Sequence, residues 1–582
     1  MPSLLVIMIF LPAVAAALLL LLDAKAPPVR ARWMALLTTV ATFVVSLGVA
    51  SQFLALDRTS NAADTPVHPD MELKYVWMDL AQADSHRPAM ELEFYLGLDG
   101  ISLALVLLTT VLTFSAVLVS WTSVSQRAAE FYASLLILET GLIGVFCAFD
   151  LLLFYVFFEF TLIPLFFMVG IWGGPLRRYA AGKFFIYTLA GSVITLLGLI
   201  WLVLETYQMG LQTGSPLATP FSIPAMSALL TLHPLPSDTQ TLLFLMIAAG
   251  FMVKVPLFPF HTWLPLAHVE APTAGSVLLA GVLLKLGSYG FLRLSLPMLP
   301  DACLQFGLPL VGVLSVIGII YGSFCALAQN DIKKLVAYSS VAHLGFCMLG
   351  LFALNTEGIS GGVLQMINHG LSTGALFCLV GMFYERYHTR QLDELGGLAG
   401  KLPLLGIAMV FTSFASIGLP GLNGFVGEVL ALIGMFKRDP ILAVLGAAGV
   451  VLGAWYLLGV LQKAFFGPLQ EPHHGHEPIP DLNAREVIAL APLLGLCLWL
   501  GLFPQPLLDL IRPDVESIVR LYGNVRATNP DRRSLPSPAH SRPAEPEQDA
   551  RAEATVPSHS NANPPNAIPP AVPETPESKV RP

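Results

Sequence analysis

The sequence predicts an all-α polytopic membrane protein with about fourteen transmembrane helices. Of its 582 residues, 55% are hydrophobic and 12% are charged, whereas about a quarter of the residues of a soluble protein are charged. Apolar runs of roughly 20 residues, enough to cross a bilayer, recur along most of the chain. Strands are not expected within these runs, because an open sheet leaves backbone groups without partners in lipid.

The composition also excludes several classes of function. So few charged residues exclude a soluble enzyme, and a net charge of −8 leaves no basic surface for nucleic acid. The six cysteines lie far apart in apolar segments, without the spacing of zinc or iron–sulfur ligands. We therefore expect no redox centre, cofactor or metal in this chain.

The first apolar run is predicted to be a retained span. Met1-Pro2-Ser3 places no positive charge ahead of residues 4–22, whereas a cleavable signal has a charged start and a shorter apolar core. The predicted spans are 4–22, 33–52, 98–120, 131–149, 151–170, 183–204, 241–256, 273–296, 303–327, 335–354, 361–384, 404–436, 441–465 and 487–509.

The charged connectors predict the orientation of these spans. With the N-terminus outside, the inner connectors contain twelve Lys and Arg residues and the outer connectors five. The positive-inside rule therefore places both termini on the outer face.

Two predicted spans are interrupted. In span 7, Lys254 is followed by Pro256, Pro259 and Pro265, and each proline removes a backbone donor. Span 12 contains a glycine-rich stretch over residues 418–427 and is too long for one simple crossing. Broken helices in corresponding positions of two halves are typical of a transport site.

The two breaks suggest an internal repeat. Spans 4–8 and 9–13 contain five helices each, the fourth is broken in both, and an odd number of spans makes the two units inverted. The predicted divisions are spans 1–3 with an outer loop (1–130), the first repeat (131–296), the second repeat (303–466), the last span (487–509) and a tail (527–582). The tail is rich in proline and is predicted to be disordered.

Ionisable side chains inside the spans are the candidate functional residues. Each costs about 2.5–3.5 kcal/mol at a helix centre, so such residues usually face an internal cavity and a partner. They are Glu139, Glu159, Lys254, Lys285, His343, His369 and Glu428. Three other cations, Lys183, Arg293 and Lys463, lie near span ends, where we expect them to extend toward the aqueous interface.

The candidates together predict a proton path. Lys254 is a plausible cation to hold Glu159 ionised, and Lys285 lies near the middle of its span. Histidine titrates near neutral pH and suits a relay. The alternative is that these groups are static pairs and satisfied core residues. The tract His473-His474-Gly475-His476 is read as a solvated loop rather than a metal site.

Two long motifs resemble the antiporter-like subunits of respiratory complex I, NADH:quinone oxidoreductase. The first covers residues 251–265 (FMVKVPLFPFHTWLP) and continues with HVEAPT at 268–273, and the second covers residues 331–343 (DIKKLVAYSSVAH). The resemblance extends over roughly residues 1–510. Multisubunit sodium/proton antiporters and membrane-bound hydrogenases share these motifs and are the alternatives.

The resemblance implies a role for each residue. The chain looks like the M type, counterpart of mitochondrial subunit 4, because that type has glutamate where the L and N types have lysine in the twelfth helix, and this chain has Glu428. Glu159 and Lys254 would be the coupled pair at the entry and Lys285 the central proton carrier. His343 and His369 would link the halves, and Glu428 would be the exit group.

The same resemblance implies a setting. The chain would be a proton-translocating subunit in a bacterial inner membrane, beside the homologous chains L and N. FMN, iron–sulfur clusters and quinone would belong to partner subunits. A scaffold, whose buried charges only hold helices together, is the third possibility.

Overall fold

The computed structural model describes residues 2–22, 28–56, 58, 65–81, 90–472 and 479–528. The predicted all-α membrane fold is confirmed, since twelve helices within these residues are long and apolar enough to cross a bilayer. The tract at 473–476 and the predicted tail from residue 529 lie outside the described part.

Eighteen main helices and one hairpin build the described chain. They are α1 (Pro2–Leu22), α2 (Pro28–Leu54), β1 (Met71–Ala81), β2 (Met90–Leu98), α3 (Gly100–Val119), α4 (Ala128–Cys147), α5 (Leu151–Trp172), α6 (Arg177–Thr213), α7 (Ile223–Leu232), α8 (Ser237–Lys254), α9 (Trp263–Glu270), α10 (Thr273–Met298), α11 (Pro300–Leu327), α12 (Ile332–Leu351), α13 (Thr356–Tyr387), α14 (Pro403–Ile417), α15 (Asn423–Arg438), α16 (Pro440–Phe465), α17 (Ala484–Leu502) and α18 (Gln505–Thr528). Two short 3₁₀ turns, Leu392–Glu394 and Leu398–Gly400, follow α13.

Polar side chains mark where several apolar helices begin. Asp99 accepts a hydrogen bond from Ser102 N at the start of α3, and Asn355 accepts one from Gly358 N at the start of α13. Asp331 accepts from two backbone N–H groups at the start of α12. Each cap satisfies donors that would otherwise have no partner in the first turn.

Both predicted interruptions occur in the structure. The seventh predicted span ends as α8 at Lys254, and α9 starts at Trp263. The twelfth divides into α14 and α15, with residues 418–422 between them. The grouping into two inverted five-helix repeats, with their boundaries, stays a prediction.

The helices that carry ionisable residues lie deepest in the bundle. In α10 and α13, the most apolar stretch of 18 residues is completely buried by protein. In α1, α2, α16 and α17, 39% or less of the corresponding stretch is buried. A charge on α10 or α13 therefore faces other helices rather than lipid, which lowers the cost of keeping it inside the membrane.

The connector between α2 and α3 contains a two-stranded hairpin that the sequence did not predict. Strands β1 and β2 pair antiparallel, with Met71 opposite Leu98 and Val76 opposite Glu93. The ladder is irregular between Val76 and Met78. It lies outside the predicted spans, so the rule against strands in lipid does not apply to it.

Helix α18 is another element that the sequence did not predict. Its buried residues Leu507, Ile511, Val515, Ile518 and Tyr522 recur every three or four positions, which is the spacing of one helix face. It continues to Thr528 and so includes the first two residues of the predicted tail, which starts at residue 527. Its mean hydropathy is too low for a span, and for that reason it was not predicted.

A close glycine contact between α13 and α15 generates the first prediction. A Cβ atom on Gly434 would lie 2.2 Å from Gly358 Cα, whereas one on Gly459 of α16 would meet nothing within 4 Å. We expect Gly434→Val to destabilise the chain by about 1–3 kcal/mol or more, because overpacking must push two backbones apart. Gly459→Val carries the same change in helix propensity and serves as the control.

The measurement is the thermal unfolding midpoint, and the amount of the full membrane assembly, after mild solubilisation. Equal losses for Gly434→Val and Gly459→Val would contradict the close packing of α13 on α15.

Candidate functional site

Four predicted site residues meet in the centre of the bundle on four different helices. Lys285 lies on α10, His343 on α12, His369 on α13 and Glu428 on α15. None is more than 5% exposed. The structure thus joins residues from both predicted repeats into one line, which we call the central row.

Lys285 begins the central row and follows an irregular part of its helix. Residues Leu279–Leu283 form a π-helical turn immediately before it, and such turns are frequent at functional sites. The Lys285 ammonium donates to the carbonyl oxygen of Ala280 within this turn. The irregular turn therefore gives the buried lysine a backbone acceptor on its own helix.

His369 receives the second contact of Lys285. Lys285 Nζ lies 2.6 Å from His369 Nδ1. An ammonium group only donates, so Nδ1 of the neutral ring accepts and the ring proton resides on Nε2. His369 Nε2 has no hydrogen-bond partner within the described residues. The ring is therefore held by one nitrogen, and the other is available to pass on a proton.

His343 connects His369 to Glu428. The two imidazole rings lie 5.7 Å apart between centroids. His343 Nδ1 is 2.9 Å from Glu428 Oε1, and Gln365 Nε2 donates to the same oxygen at 2.9 Å. One oxygen of the buried Glu428 carboxylate thus has two buried side-chain neighbours, and such partners reduce the cost of burying a charge.

The break between α14 and α15 positions Glu428. Gly418 and Gly421 have φ values of 82° and 93°, which favour glycine. A Cβ atom on Gly418 would lie 3.2 Å from Glu428 Oε2, and one on Gly424 would lie 2.2 Å from the oxygen of Ala415. The glycines let α15 fold back closely against α14, so that Glu428 faces the interior.

Two asparagines connect this break to the helix of His369. Asn368 Nδ2 donates to the oxygen of Asn423 at 2.7 Å, and Asn423 Nδ2 donates to the oxygen of Asn368 at 3.2 Å. Asn368 immediately precedes His369, so this reciprocal contact holds the start of α15 next to the central row.

Lys254 lies at the end of α8, directly before the first break, and is fully buried. Its ammonium donates to the oxygen of Phe158 at 3.0 Å and lies 3.8 Å from the centre of the Phe158 ring. Such a cation–π contact partly offsets the loss of water around the ammonium.

Glu159 lies near Lys254 without a direct contact. The Lys254 ammonium bonds to the backbone of the preceding residue, although the Glu159 charge acts on it electrostatically. Glu159 is half-buried, and its Oε1 atom has no hydrogen-bond partner within the described residues. The predicted Glu159–Lys254 pair is therefore adjacent but open in this structure.

The end of α8 packs directly on the helix that carries Lys285. A Cβ atom on Gly287 would lie 2.7 Å from the oxygen of Phe251 and 2.9 Å from the nitrogen of Val255. Gly287 and Gly290 have no side-chain carbon atoms, so the Lys254 region packs closely against α10. This contact joins the lateral Glu159–Lys254 region to the central row.

Sequence reasoning missed His268, which is part of the quoted HVEAPT motif. His268 is fully buried on α9, stacks on Phe377 at 4.6 Å, and neither ring nitrogen has a partner within the described residues. The charges of Lys333 and Lys285 both act on it. Its place in a quoted motif beside a predicted break was the signal that could have found it.

A cavity of about 590 Å³ opens beside His268. Glu270 and Lys333 line it, together with Glu385, His388 and Arg390. Lys333 Nζ donates to the oxygen of Ala271 at 2.6 Å. The cavity is far larger than one water molecule needs, and its lining reaches Val269, the residue that follows His268.

Glu139 and Arg293 behave differently from the central row. Glu139 is fully buried on α4, and neither carboxylate oxygen has a hydrogen-bond partner in the described part of the chain. The expectation that Arg293 extends to the interface was wrong: Arg293 is 5% exposed and its Nη2 atom lies 2.5 Å from Asp99 Oδ2. A charge-assisted hydrogen bond to the buried Asp99 carboxylate is strong enough to hold the guanidinium inside the protein rather than at the aqueous interface.

No group of three or more His, Cys, Asp or Glu side chains within the described residues has the arrangement of a metal site. The six cysteines are free, and five of them are buried.

Comparison with known proteins gives a consistent result. A model of the family described as "NADH:quinone oxidoreductase/Mrp antiporter, TM" matches residues 148–453. The chain is 43% identical to the NADH-quinone oxidoreductase subunit M of Rhodobacter capsulatus over 526 residues, which are 90% of this chain and 97% of the relative. It is 44% identical to the NADH-ubiquinone oxidoreductase chain 4 of Marchantia polymorpha over 434 residues, which are 74% and 84% of the two chains.

A solved structure supports the same relationship. The chain resembles a subunit in the structure of respiratory complex I from Thermus thermophilus with bound NADH, with a TM-score of 0.74 and 32% identity. The match covers 89% of this chain and 100% of that subunit.

Proposed function

This chain belongs to the family of NADH:quinone oxidoreductase/Mrp antiporter transmembrane subunits, and we propose that its central row is the proton path. The chain is a proton-translocating membrane subunit of NADH:quinone oxidoreductase. Other membrane subunits are its partners, and redox cofactors belong to other subunits of such a complex. The observation that carries the proposed path is the row of Lys285, His369, His343 and Glu428. The Lys285–His369 and His343–Glu428 pairs are within hydrogen-bond distance, and the two imidazole rings between them lie 5.7 Å apart.

The Glu159–Lys254 region would be the entry. In its open arrangement the Lys254 ammonium has its hydrogen bond to backbone and not to the Glu159 carboxylate. If the pair closed, the Lys254 ammonium would move toward the Glu159 carboxylate. If the pair opened, the Lys254 ammonium would lie nearer to Lys285. Two ammonium groups repel each other, so opening the pair favours release of a proton by Lys285.

The histidines would carry that proton onward. Lys285 Nζ gives a proton to His369 Nδ1 along their 2.6 Å contact, and the His369 ring releases the proton on Nε2. A water molecule or ring motion bridges the 5.7 Å to His343, and His343 Nδ1 delivers a proton to Glu428 Oε1 at 2.9 Å. One proton leaves Lys285 and one arrives at Glu428, and no electrons move.

The setting follows the sequence expectations. We propose a bacterial inner membrane, with both termini on its outer face and the homologous chains L and N as neighbours. The first test is a native gel of mildly solubilised membranes, stained for NADH-dye reductase activity and probed for this chain. We expect the chain in the large NADH-oxidising band; migration only in an assembly without that activity would support a sodium/proton antiporter instead.

Removing Lys285 tests the central row. We expect Lys285→Met to reduce NADH-driven proton pumping per assembled complex on the order of 100-fold, the smaller end of what a positioned proton-transfer group contributes. Lys463→Met is the matched control, because Lys463 is exposed at the end of α16. Pumping is measured by a pH-sensitive dye in proteoliposomes and normalised to the amount of complex. Normal pumping by assembled Lys285→Met would refute the path and support the scaffold alternative.

Neutralising Glu159 tests the entry. We expect Glu159→Gln to keep the complex assembled, since the side chain is half-buried and isosteric, but to lose most of the pumping because Lys254 then has no carboxylate to approach. The measurement is protons translocated per NADH oxidised. An unchanged ratio in fully assembled complex would remove Glu159 from the mechanism.

A further inference from the structure

Arg293 lies on the same helix as Lys285, two turns closer to the Met298 end of α10. Between them Tyr289 occupies the intermediate turn and is fully buried. The spacing 285, 289 and 293 keeps the three side chains on neighbouring parts of one helix surface. A fixed cation therefore stands between Lys285 and one end of the bundle.

The Arg293 guanidinium is held by several contacts. Its Nη2 atom lies 2.5 Å from Asp99 Oδ2 and donates to Ser102 Oγ at 3.2 Å. Its Nε atom donates to Tyr289 OH at 3.1 Å, and its Cζ atom lies 4.7 Å from the centre of the Phe149 ring. A planar guanidinium group with this many contacts is fixed in position.

Water has access to the far side of Arg293. A cavity of about 30 Å³ is lined by Asp99, Arg293, Arg58, Asp70 and Asp514, which is room for about two water molecules. The contact that leads inward from Arg293 ends at Tyr289, whose hydroxyl lies 2.9 Å from Ser102 Oγ and donates to the oxygen of Phe146 at 3.1 Å.

The C-terminal helix closes this cavity. Arg58 donates to Asp514 on α18 at 2.7 Å and to Asp70 at 2.8 Å. A Cβ atom on Gly100 would lie 2.0 Å from the oxygen of Leu510, so α18 sits in direct backbone contact with the start of α3. Three aspartates and two arginines thus form one buried cluster under α18.

We propose that Arg293 is an electrostatic barrier that keeps the proton of Lys285 from leaving along α10, so that the proton leaves through His369. A fixed arginine on a water-accessible path repels protons and other cations. Asp99 positions the guanidinium and Tyr289 separates it from Lys285. This inference rests on the proposed role of Lys285 as the proton carrier.

The rival explanation is that Arg293 and Asp99 only hold α10 against α3. Replacing a buried ion pair by neutral groups is often harmless, whereas removing one partner leaves an uncompensated charge and is destabilising. A structural pair therefore predicts that Asp99→Asn and Arg293→Met behave alike and that the double variant repairs both. A barrier predicts that only loss of the cation opens a leak.

The experiment measures passive proton flux through the purified complex in liposomes. A potassium diffusion potential drives protons in the absence of NADH, and a trapped pH dye reports the flux per complex. We expect Arg293→Met to raise the flux roughly 10-fold or more, because one unit charge is lost from a site of low dielectric constant. Asp99→Asn and Arg293→Lys keep the cation and should leave the flux unchanged.

The double variant D99N/R293M keeps the experiment decisive if Arg293→Met fails to assemble. It leaves no unpaired charge, so it should assemble, and it should leak like Arg293→Met. The matched control is R386M/E486Q, which neutralises another buried ion pair, with Arg386 Nη2 2.6 Å from Glu486 Oε2. We expect no leak from that control.

Two results would overturn the barrier: an assembled D99N/R293M variant with the parent's flux, or an equal leak from R386M/E486Q. Passive flux is measured without NADH, so these two results are separate from the measurement of NADH-driven pumping. Failure of the proposed proton path would instead show as normal pumping by Lys285→Met.

Discussion

Every part of this structure depends on one constraint, which is that a charge inside a membrane must be enclosed by protein and given partners. The helices α10 and α13 carry Lys285 and His369, and their apolar windows are wholly buried by their neighbours. The helices α1, α2, α16 and α17 at the periphery are much less buried within the chain and carry no member of the central row. Enclosure lowers the cost of each buried charge, and the low dielectric inside makes the charges act strongly on one another.

Irregular turns and breaks in the helices provide hydrogen-bond partners for the buried ionisable side chains and set their positions. A π turn offers the Ala280 carbonyl to Lys285, the break after α8 leaves Lys254 at a helix end, and the break after α14 lets Glu428 face inward. The π turn is fully buried, whereas Leu419 in the second break is 44% exposed and its N–H donates back to the oxygen of Phe414 on α14. The central row is therefore a product of interrupted helices as much as of ionisable side chains.

The two ends of α10 have different character. Near Lys285 the contacts lead sideways, through His369 and His343 to Glu428. Toward Met298 they end in Tyr289, Arg293 and an aspartate cluster closed by α18. In the proposed path the first direction conducts protons and the second is closed, with α18 lining the closed side.

The sequence by itself determined the membrane fold and both helix breaks, because hydropathy, proline and glycine act locally. It also singled out seven ionisable residues within the spans, because buried charges are rare enough to stand out, whereas their roles in a proton path stay a proposal. Only the tertiary structure decided which of them touch: Lys285, His369, His343 and Glu428 form one row, while Glu159 and Lys254 stay apart. Burial also depends on other helices. It was tertiary packing that turned Arg293 from an expected interfacial cation into the buried partner of Asp99, because a side chain's surroundings are made by segments distant in sequence.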